Sequence, residues 1–303
     1  MKSFAIVGAG AVGCYYGARL AEAGHDVRFL LRSDFDHVSQ HGMSIKSIHG
    51  DFVLPEVTCA RTPEELGKVD VVIVAWKATS NDHYESVISP LLHEDTAILT
   101  LQNGLGNVEQ LSSIFGAERI LGAMCFVCIN RLAPGEIDHS GGGPIAMGEA
   151  SPGVTERLRE LAGIFEGAKV KCEIALDLGE AQWRKLVWNI PFNGLCITEG
   201  GIDTKVLLEL PDGESKVRAL MAEVIGAANA LGFPVEESYA DVQMKRTYPM
   251  GPYRPSSMID YAEGREVEVE AIWGEPLRRA KKVGAEVPLI EALHEKITGM
   301  TCG

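Results

Sequence analysis

One helical segment of the chain carries three polar residues whose types and spacing could do chemistry. In QWRKLVWNIPFN, residues 182–193, Lys185, Asn189 and Asn193 follow one another every four residues and share a narrow strip of the helix surface. An ammonium group can donate a proton to an oxygen on which negative charge develops, and amides can fix hydroxyl or carboxylate groups without adding charge. The strip could equally complete an amphipathic helix as a solvated stripe.

The segment belongs to a second half of the chain in which helical periodicity prevails. Trp183, Leu186, Val187 and Ile190 gather on one face of the helix, as a core-facing stripe does. Helices are predicted over residues 177–198, 213–231, 235–248, 255–262, 268–283 and 288–299. We therefore expect an all-helical C-terminal domain over residues 173–303, packed against the first half with a cleft between them.

Two further polar sites in this half have ordinary interpretations of their own. Ser256 and Ser257 are candidates for the N-cap of a short helix. Glu268 stands on the first turn of the predicted helix that follows, where the helix dipole favours a carboxylate. Neither position indicates chemistry by itself.

The chain opens with a strand, a glycine-rich turn and a helix, in the order that a dinucleotide site requires. FAIVG leads into GAGAVG, residues 8–13. Gly8 and Gly10 would let the backbone turn and approach a pyrophosphate, and Gly13 would let the helix pack on the strand. The amides of Ala11 and Val12, at the helix start, would face the phosphates.

The end of the second predicted strand indicates which nucleotide binds. HDVRFLL is followed by Arg32, and a guanidinium suits a 2′-phosphate, so NADP is favoured over NAD. In the alternative, Arg32 is a solvated strand end, and Asp34 or Asp36 binds the ribose hydroxyls of NAD.

The remaining strands of the first half indicate a Rossmann-like, parallel, doubly wound sheet over residues 1–172. DVVIVAWK (70–77) and TAILTLQN (96–103) end in Lys77 and Asn103, at the edge where such sheets bind ligands. A loop lysine and a turn residue are the alternatives for these two. RILGAMCFVCI (119–129) follows, and residues 135–148 are predicted to form a hairpin joined by a glycine loop.

Composition excludes several classes of protein. The formal net charge of −14 argues against nucleic acid as a partner, and the apolar runs are too short to cross a bilayer. The N-terminus has glycines where a signal peptide needs an apolar core, which predicts a cytoplasmic protein. Seven scattered cysteines (14, 59, 125, 128, 172, 196 and 302) are expected to be reduced, and no histidine or cysteine spacing predicts a metal site.

Taken in order, these stretches resemble the ketopantoate reductase (2-dehydropantoate 2-reductase) family. The matching features run from GAGAVG through LLR at 30–32, Lys77, QNGLG, QWRKL, SSM at 256–258 and Glu268 to a late EVP. The resemblance implies an NADPH-dependent reductase of a 2-oxo acid, with ketopantoate and pantoate as substrate and product in coenzyme A biosynthesis. It is compatible with a homodimer.

The resemblance also implies a role for each matching residue. Those matching Arg32 and Lys77 hold the 2′-phosphate end of NADP, and the one matching Asn103 lies beside the nicotinamide and the substrate. The residue matching Lys185 is the catalytic acid, and the one matching Glu268 supports it. Substrate is bound by the residues matching Asn189, Asn193 and Ser257.

The chain departs from the family pattern around the substrate. Asn193 is followed by Gly194 where many members have proline, Pro191 stands inside the helix and should kink it, and Trp273 replaces a usual asparagine. The same machinery could therefore serve another branched or aromatic 2-oxo acid. A non-catalytic NADPH sensor is a further alternative, but such a sensor would need neither Lys185 nor Glu268.

Overall fold

The computed structural model describes residues 1–301, and this part of the chain forms two structural units. The first comprises Met1–Gln102 and Asn107–Leu178. The second comprises the short segment Asn103–Gly106 together with the chain from Gly179 onward. The predicted domain boundary at residues 172/173 stays a prediction, and the grouping of segment 103–106 with the second unit has no counterpart in the sequence pattern.

A ten-stranded mixed sheet forms the centre of the first unit, in the order β4-β3-β9-β8-β7-β6-β1-β2-β5 with β10 beside β9. The strands are β1 (Ser3–Val7), β2 (Asp26–Leu30), β3 (Met43–Ser47), β4 (Phe52–Leu54), β5 (Thr58–Ala60), β6 (Val71–Val74), β7 (Ala97–Thr100), β8 (Ile120–Ala133), β9 (Glu136–Glu149) and β10 (Cys172–Ile174).

The part of this sheet from β5 to β8 is parallel, as the sequence predicts. β1, β6 and β7 are short runs of β-branched and other apolar residues that are almost completely buried, which is typical of a strand covered on both faces. The helices of this unit are α1 (Ala11–Glu22), α2 (Phe35–His41), α3 (Pro63–Leu66), α4 (Tyr84–Ile88), α5 (Asn107–Phe115) and α6 (Glu156–Gly167).

The predicted hairpin within residues 135–148 is wrong. β9 runs through this stretch as one strand, antiparallel to β8, and the turn between them is at Pro134 and Gly135. Gly142 and Gly143 have φ of +70° and +118° and form an irregularity opposite Phe126. A side chain on Gly142 would stand 2.2 Å from the carbonyl oxygen of Phe126, so this run of glycines marks a bulge and not a turn.

The regular elements among the described residues of the second unit are all helices, which confirms the predicted fold class. Its helices are α7 (Leu178–Thr198), α8 (Thr204–Glu209), α9 (Gly213–Ala230), α10 (Tyr239–Thr247), α11 (Ser256–Ala262), α12 (Glu275–Lys282) and α13 (Pro288–Thr301), with a π-helical turn at Glu270–Gly274 before α12. Only α8 lacks a counterpart among the predicted helices.

Helix α7 contributes many buried residues to this unit's core. Trp183, Leu186, Val187 and Ile190 are each at most 1% exposed, so the predicted apolar face is the buried one. The helix continues through Pro191 to Thr198, although proline lacks the amide hydrogen that would reach the carbonyl of Val187. Within residues 1–301 no helix is both long and apolar enough to cross a membrane.

Candidate active site

The glycine-rich turn at residues 8–13 has the conformation that its spacing predicts. Gly8 has φ of +92°, and a β-carbon on it would lie 2.1 Å from the backbone nitrogen of Trp76. A β-carbon on Gly13 would lie 2.5 Å from the carbonyl oxygen of Gly8 and 3.1 Å from the side chain of Ile6. These two glycines are therefore required by the packing of α1 against β1 and β6, whatever binds there.

Gly10 differs from its neighbours in the turn, because a β-carbon on it would meet nothing within 4 Å. Packing does not explain a glycine at this position. Gly10 is also the N-cap of α1, where no side chain caps the helix and no acidic residue occupies the first turn. The amides of Ala11 and Val12 thus stand at a helix start next to open space, an arrangement that fits a phosphate group.

The acidic residues that could have indicated NAD are both bound by arginines. Asp34 is 5% exposed and accepts hydrogen bonds from Nη1 of Arg131 at 2.7 Å and from Oγ of Ser33 at 2.8 Å. Asp36 pairs with Arg61 at 2.6 Å. Arg32 is exposed two residues after β2 ends, so its guanidinium is accessible to a ligand, while the exposed carboxylate of Asp36 is already paired with Arg61.

Lys77 lies at the end of β6, where the sequence predicts it. It is half-buried and immediately precedes a 3₁₀ segment, Ala78–His83. Partial burial distinguishes it from a fully solvated loop lysine, and its role in cofactor binding stays a prediction.

Lys185 and Asn103 are brought together in the second unit. Nζ of Lys185 donates a hydrogen bond to Oδ1 of Asn103 at 2.6 Å. The segment that carries Asn103 is held by the backbone of the π-helical turn, since the amide of Leu105 donates to the carbonyl of Ala271 at 2.8 Å. Gly104, with φ of +81°, passes so close that a β-carbon would lie 2.2 Å from the same oxygen.

The two asparagines of the strip are buried, so the interpretation as a solvated stripe is wrong. Asn189 is 7% exposed and Asn193 is 2% exposed, while Lys185 is half-buried. Nδ2 of Asn193 donates to the carbonyl of Asn189 at 3.1 Å. Burying an amide costs free energy unless the amide is hydrogen-bonded. The bond from Asn193 to the carbonyl of Asn189 offsets part of that cost within α7.

Asn193 also binds the start of α11. Its Oδ1 accepts a hydrogen bond from the amide of Ser257 at 2.9 Å. Pro255 is the N-cap of this helix, so neither Ser256 nor Ser257 caps it. The amide of Ser257, at the start of the helix, instead finds its acceptor on Asn193 of α7. The structure thereby brings Asn189, Asn193 and Ser257 into one hydrogen-bonded group.

The helical stretch begins at Val269, so Glu268 directly precedes it instead of standing on its first turn as predicted, and it is 9% exposed. Its carbonyl accepts from the amide of Ile272 at 3.1 Å. The π-helical turn that follows was not predicted. Its Trp273 is fully buried, and Nε1 donates to the carbonyl of Ile190 at 3.1 Å, next to Pro191. The unusual proline and the unusual tryptophan are therefore neighbours in the fold.

The described cysteines, histidines and acidic residues do not form a metal site or a disulfide. No group of them within residues 1–301 has the arrangement of a metal site, and none of the six described cysteines is in a disulfide. Cys302 lies outside the described residues. Burial raises the pKa of Cys14 and of Cys196 to about 12, so neither thiol is a nucleophile at neutral pH.

Comparison with known proteins connects both units to one family. The profile of the ketopantoate reductase PanE/ApbA family matches residues 4–152, and that of its C-terminal domain matches residues 177–301. The chain is 38% identical to a 2-dehydropantoate 2-reductase of a Nostoc species over 98% of this chain and 94% of that protein.

Solved structures agree with this assignment. The crystal structure of a 2-dehydropantoate 2-reductase from Geobacter metallireducens GS-15 is 46% identical, with a TM-score of 0.96 over 98% of this chain and 99% of that chain. A ternary structure of D-mandelate dehydrogenase with NADH has a TM-score of 0.90 over 99% and 98% of the two chains, but at 20% identity it shares only the fold.

The predicted family is thus confirmed, and with it an oxidoreductase that acts on CH–OH groups and uses a nicotinamide cofactor. The chain belongs to the ketopantoate reductase family.

Proposed function

We propose that the protein reduces 2-dehydropantoate to pantoate with NADPH, in the cytoplasm, as a step of coenzyme A biosynthesis. The observation that carries the proposal is the hydrogen bond from Lys185 to Asn103, which joins the proposed proton donor to the glycine-containing segment expected beside the nicotinamide. The shared family profile and the 38% identity to a 2-dehydropantoate 2-reductase support the choice of substrate.

The first unit supplies the residues that would hold the cofactor. The open space beside Gly10 and the uncapped amides at the start of α1 suit the pyrophosphate. Arg32 and Lys77 supply positive charge for a 2′-phosphate, and the pairing of Asp34 with Arg131 leaves the carboxylate that NAD enzymes use already neutralised. When bound, the nicotinamide supplies the hydride that reaches C2 of the substrate.

Lys185 completes the reaction with a proton. As the carbonyl carbon of a 2-oxo acid is reduced, negative charge develops on its oxygen, and an ammonium group stabilises that charge and then protonates the oxygen. The bond to Asn103 fixes the position of a long side chain that would otherwise populate many rotamers. Glu268 is 9% exposed and lies just before the π-helical turn, whose Ala271 bonds Leu105 of segment 103–106. Its carboxylate is proposed to support Lys185.

The buried amides and Ser257 are the proposed substrate contacts. Asn189 and Asn193 can bond hydroxyl or carboxylate oxygens without adding charge, and Asn193 sets the position of Ser257 through its backbone amide. A non-catalytic sensor would not need a lysine held in this way.

A second substrate is favoured by one specific observation. Trp273, which stands where the family usually has asparagine, fills the core beside Pro191 and bonds the carbonyl of Ile190. The helix that carries Asn189 and Asn193 is thus braced by a side chain that the family pattern lacks. Another branched or aromatic 2-oxo acid on the same machinery is therefore the alternative.

A panel of 2-oxo acids tests both. NADPH oxidation is followed with 2-dehydropantoate, 2-oxoisovalerate and phenylglyoxylate, and NADH replaces NADPH in a parallel series. We expect the highest kcat/KM for 2-dehydropantoate with NADPH. A higher value for an aromatic acid would move the assignment to the alternative. We also propose that the protein is a homodimer, which light scattering on the purified protein tests separately.

A further inference from the structure

A network of side-chain amides joins the two residues that flank segment 103–106. Gln102 directly precedes the segment, and its Nε2 donates to Oδ1 of Asn81 at 2.8 Å. Asn107 directly follows the segment, and its Oδ1 accepts from Nδ2 of Asn81 at 2.9 Å. One side chain, that of Asn81, therefore connects both ends of the segment that carries Asn103.

The orientation of each amide in this network is determined by its neighbours. Oε1 of Gln102 accepts from the hydroxyls of Tyr84 at 2.6 Å and Thr100 at 2.9 Å, so Nε2 must face Asn81. Asn81 must then accept with Oδ1 and donate with Nδ2. Gln102, Asn107 and Tyr84 are all at most 9% exposed, and bonds among buried groups hold their geometry more strictly than bonds in water.

The segment combines flexible glycines with one anchored residue. Two of its four residues are glycines with positive φ, Gly104 at +81° and Gly106 at +92°, and glycine leaves the backbone a wide choice of conformations. Leu105 is 3% exposed, packs in the core of the second unit and donates its amide to the carbonyl of Ala271. The position of Asn103, next to Gly104, therefore depends on this anchor and on the restraints at the ends of the segment.

We propose that Asn81 is a positioning residue, which places Asn103 for its bond with Lys185 by holding Gln102 and Asn107 together. The inference rests on the catalytic role proposed for that pair. Asn81 sits on the 3₁₀ segment after Lys77 and acts on the pair through Gln102 and Asn107. Its effect is on the geometry of the acid, where a misplacement of about 1 Å can cost on the order of 10²-fold in rate.

The test uses the full-length protein and two single variants of the network. Asn81→Ala removes both bonds to the flanking residues. Gln110→Ala is the matched control, since it removes only the outer bond that Nδ2 of Asn81 makes to the exposed Gln110, at 2.8 Å. We expect Asn81→Ala to lower kcat by roughly ten- to a hundredfold, with the Kd for NADPH changed by less than about twofold. Gln110→Ala should match the wild type.

A double-mutant cycle separates positioning from a general loss of structure. In an Asn103→Ala background the contact with Lys185 is already gone, so adding Asn81→Ala should lower kcat by less than about twofold. Asn81→Asp, which can still accept from Gln102 but cannot donate to Asn107, provides a second variant and should lower kcat in the same direction as Asn81→Ala.

The outcomes distinguish this inference from the proposed function. Normal turnover of Asn81→Ala beside an inactive Lys185→Ala variant would overturn the positioning role and leave the catalytic role intact. A full loss from Asn81→Ala in the Asn103→Ala background would overturn it as well. Normal turnover of both Lys185→Ala and Asn103→Ala would instead remove the catalytic pair on which the inference rests.

Discussion

Lys185 donates from Nζ to Oδ1 of Asn103 across 2.6 Å, although 82 residues separate them in the sequence. The lysine lies on helix α7 of the second unit, and the asparagine lies on segment 103–106, which groups with the same unit. The bond makes a cation on a flexible side chain into a group with a defined position, which is what a general acid requires.

The glycine turn offers a matched pair of substitutions. Gly10→Ala places a methyl group in open space at a φ of −80°, which alanine adopts, so the fold should be unchanged while phosphate approach is blocked. We expect the Kd for NADPH to rise about tenfold or more, equivalent to ~1.4 kcal/mol. Gly13→Ala should instead lower the melting temperature, because overpacking of this kind costs about 1–3 kcal/mol. Wild-type NADPH affinity in Gly10→Ala would contradict the phosphate role.

Cofactor choice is tested at Arg32. A charge-assisted hydrogen bond contributes about 1.5–3 kcal/mol, so Arg32→Ala should weaken NADPH binding at least about tenfold and leave NADH binding nearly unchanged. Arg61→Ala is the control, since that guanidinium is already paired with Asp36 and lies over the ring of Phe35. Titration of intrinsic fluorescence gives both constants, and equal losses for the two cofactors would rule out a 2′-phosphate contact.

The sequence predicts the parts of the fold that depend on local pattern. The buried strands β1, β6 and β7 and helix α7 are long or strongly apolar runs, and they lie where predicted. Strands β3, β4 and β5 are three to five residues long with few buried side chains, and they are strands because a neighbour offers hydrogen-bonding partners. β3 and β4 pair with each other across a short loop, but β5 pairs with β2 and β3 with β9, which are distant in sequence, so local pattern does not reveal those pairings.

The candidate site is predictable to a similar extent. Lys185, Asn103 and Glu268 are side-chain types that attract notice. Several contacts around them involve backbone atoms, such as the carbonyl of Ala271 that receives Leu105 and the carbonyl of Ile190 that receives Trp273. Every residue has a carbonyl, so no residue type marks these acceptors. The glycine run of β9 predicts a turn but forms a bulge, since a positive φ serves a turn and a bulge equally.

The role of Glu268 is separable from a helix-start charge. If its carboxylate supports catalysis, Glu268→Gln should lower kcat about tenfold or more, the range of a general acid–base contribution, with little change in melting temperature. Glu270→Gln is the matched control, because Glu270 is exposed on the first turn of the helical stretch that follows Glu268 and pairs with Arg278. A charge at a helix start contributes about 0.3–1 kcal/mol. Normal turnover with a modest melting shift in both variants would leave Glu268 only that electrostatic role.

A buried histidine in the first unit is held in its neutral form. Ser47 Oγ accepts from Nη2 of Arg19 at 3.0 Å and from the amide of His49 at 3.1 Å, so its own hydrogen is directed to Nδ1 of His139 at 2.8 Å. Nε2 of His139 then donates to the carbonyl of Gly141 at 3.1 Å. Burial, followed by the charges of His49 and Arg19, lowers the pKa of His139 below its ordinary value.

Stability should therefore fall on acidification. Between the lowered pKa of His139 and its ordinary value of about 6.5, the unfolded chain binds a proton that the folded protein does not. The stabilisation from this residue is complete above about pH 6.5 and is lost as the pH falls towards the folded pKa, with a slope of up to about 1.4 kcal/mol per pH unit. His139→Gln should reduce the difference in Tm between about pH 7.5 and pH 5.5. An unchanged difference would show that other groups control it.

The role of Lys185 as general acid is tested most directly in the Lys185→Ala variant. The measurement is single-turnover oxidation of bound NADPH by 2-dehydropantoate, with the Kd for NADPH determined on the same preparation. Arg184→Ala, which removes a neighbouring cation paired with Glu180 on the same helix, serves as the control and should react as the wild type does. We predict that Lys185→Ala loses roughly 10²–10⁴-fold in rate and binds NADPH within about twofold of the wild-type affinity. A Lys185→Ala variant that reacts at the wild-type rate would contradict the role of Lys185 as general acid.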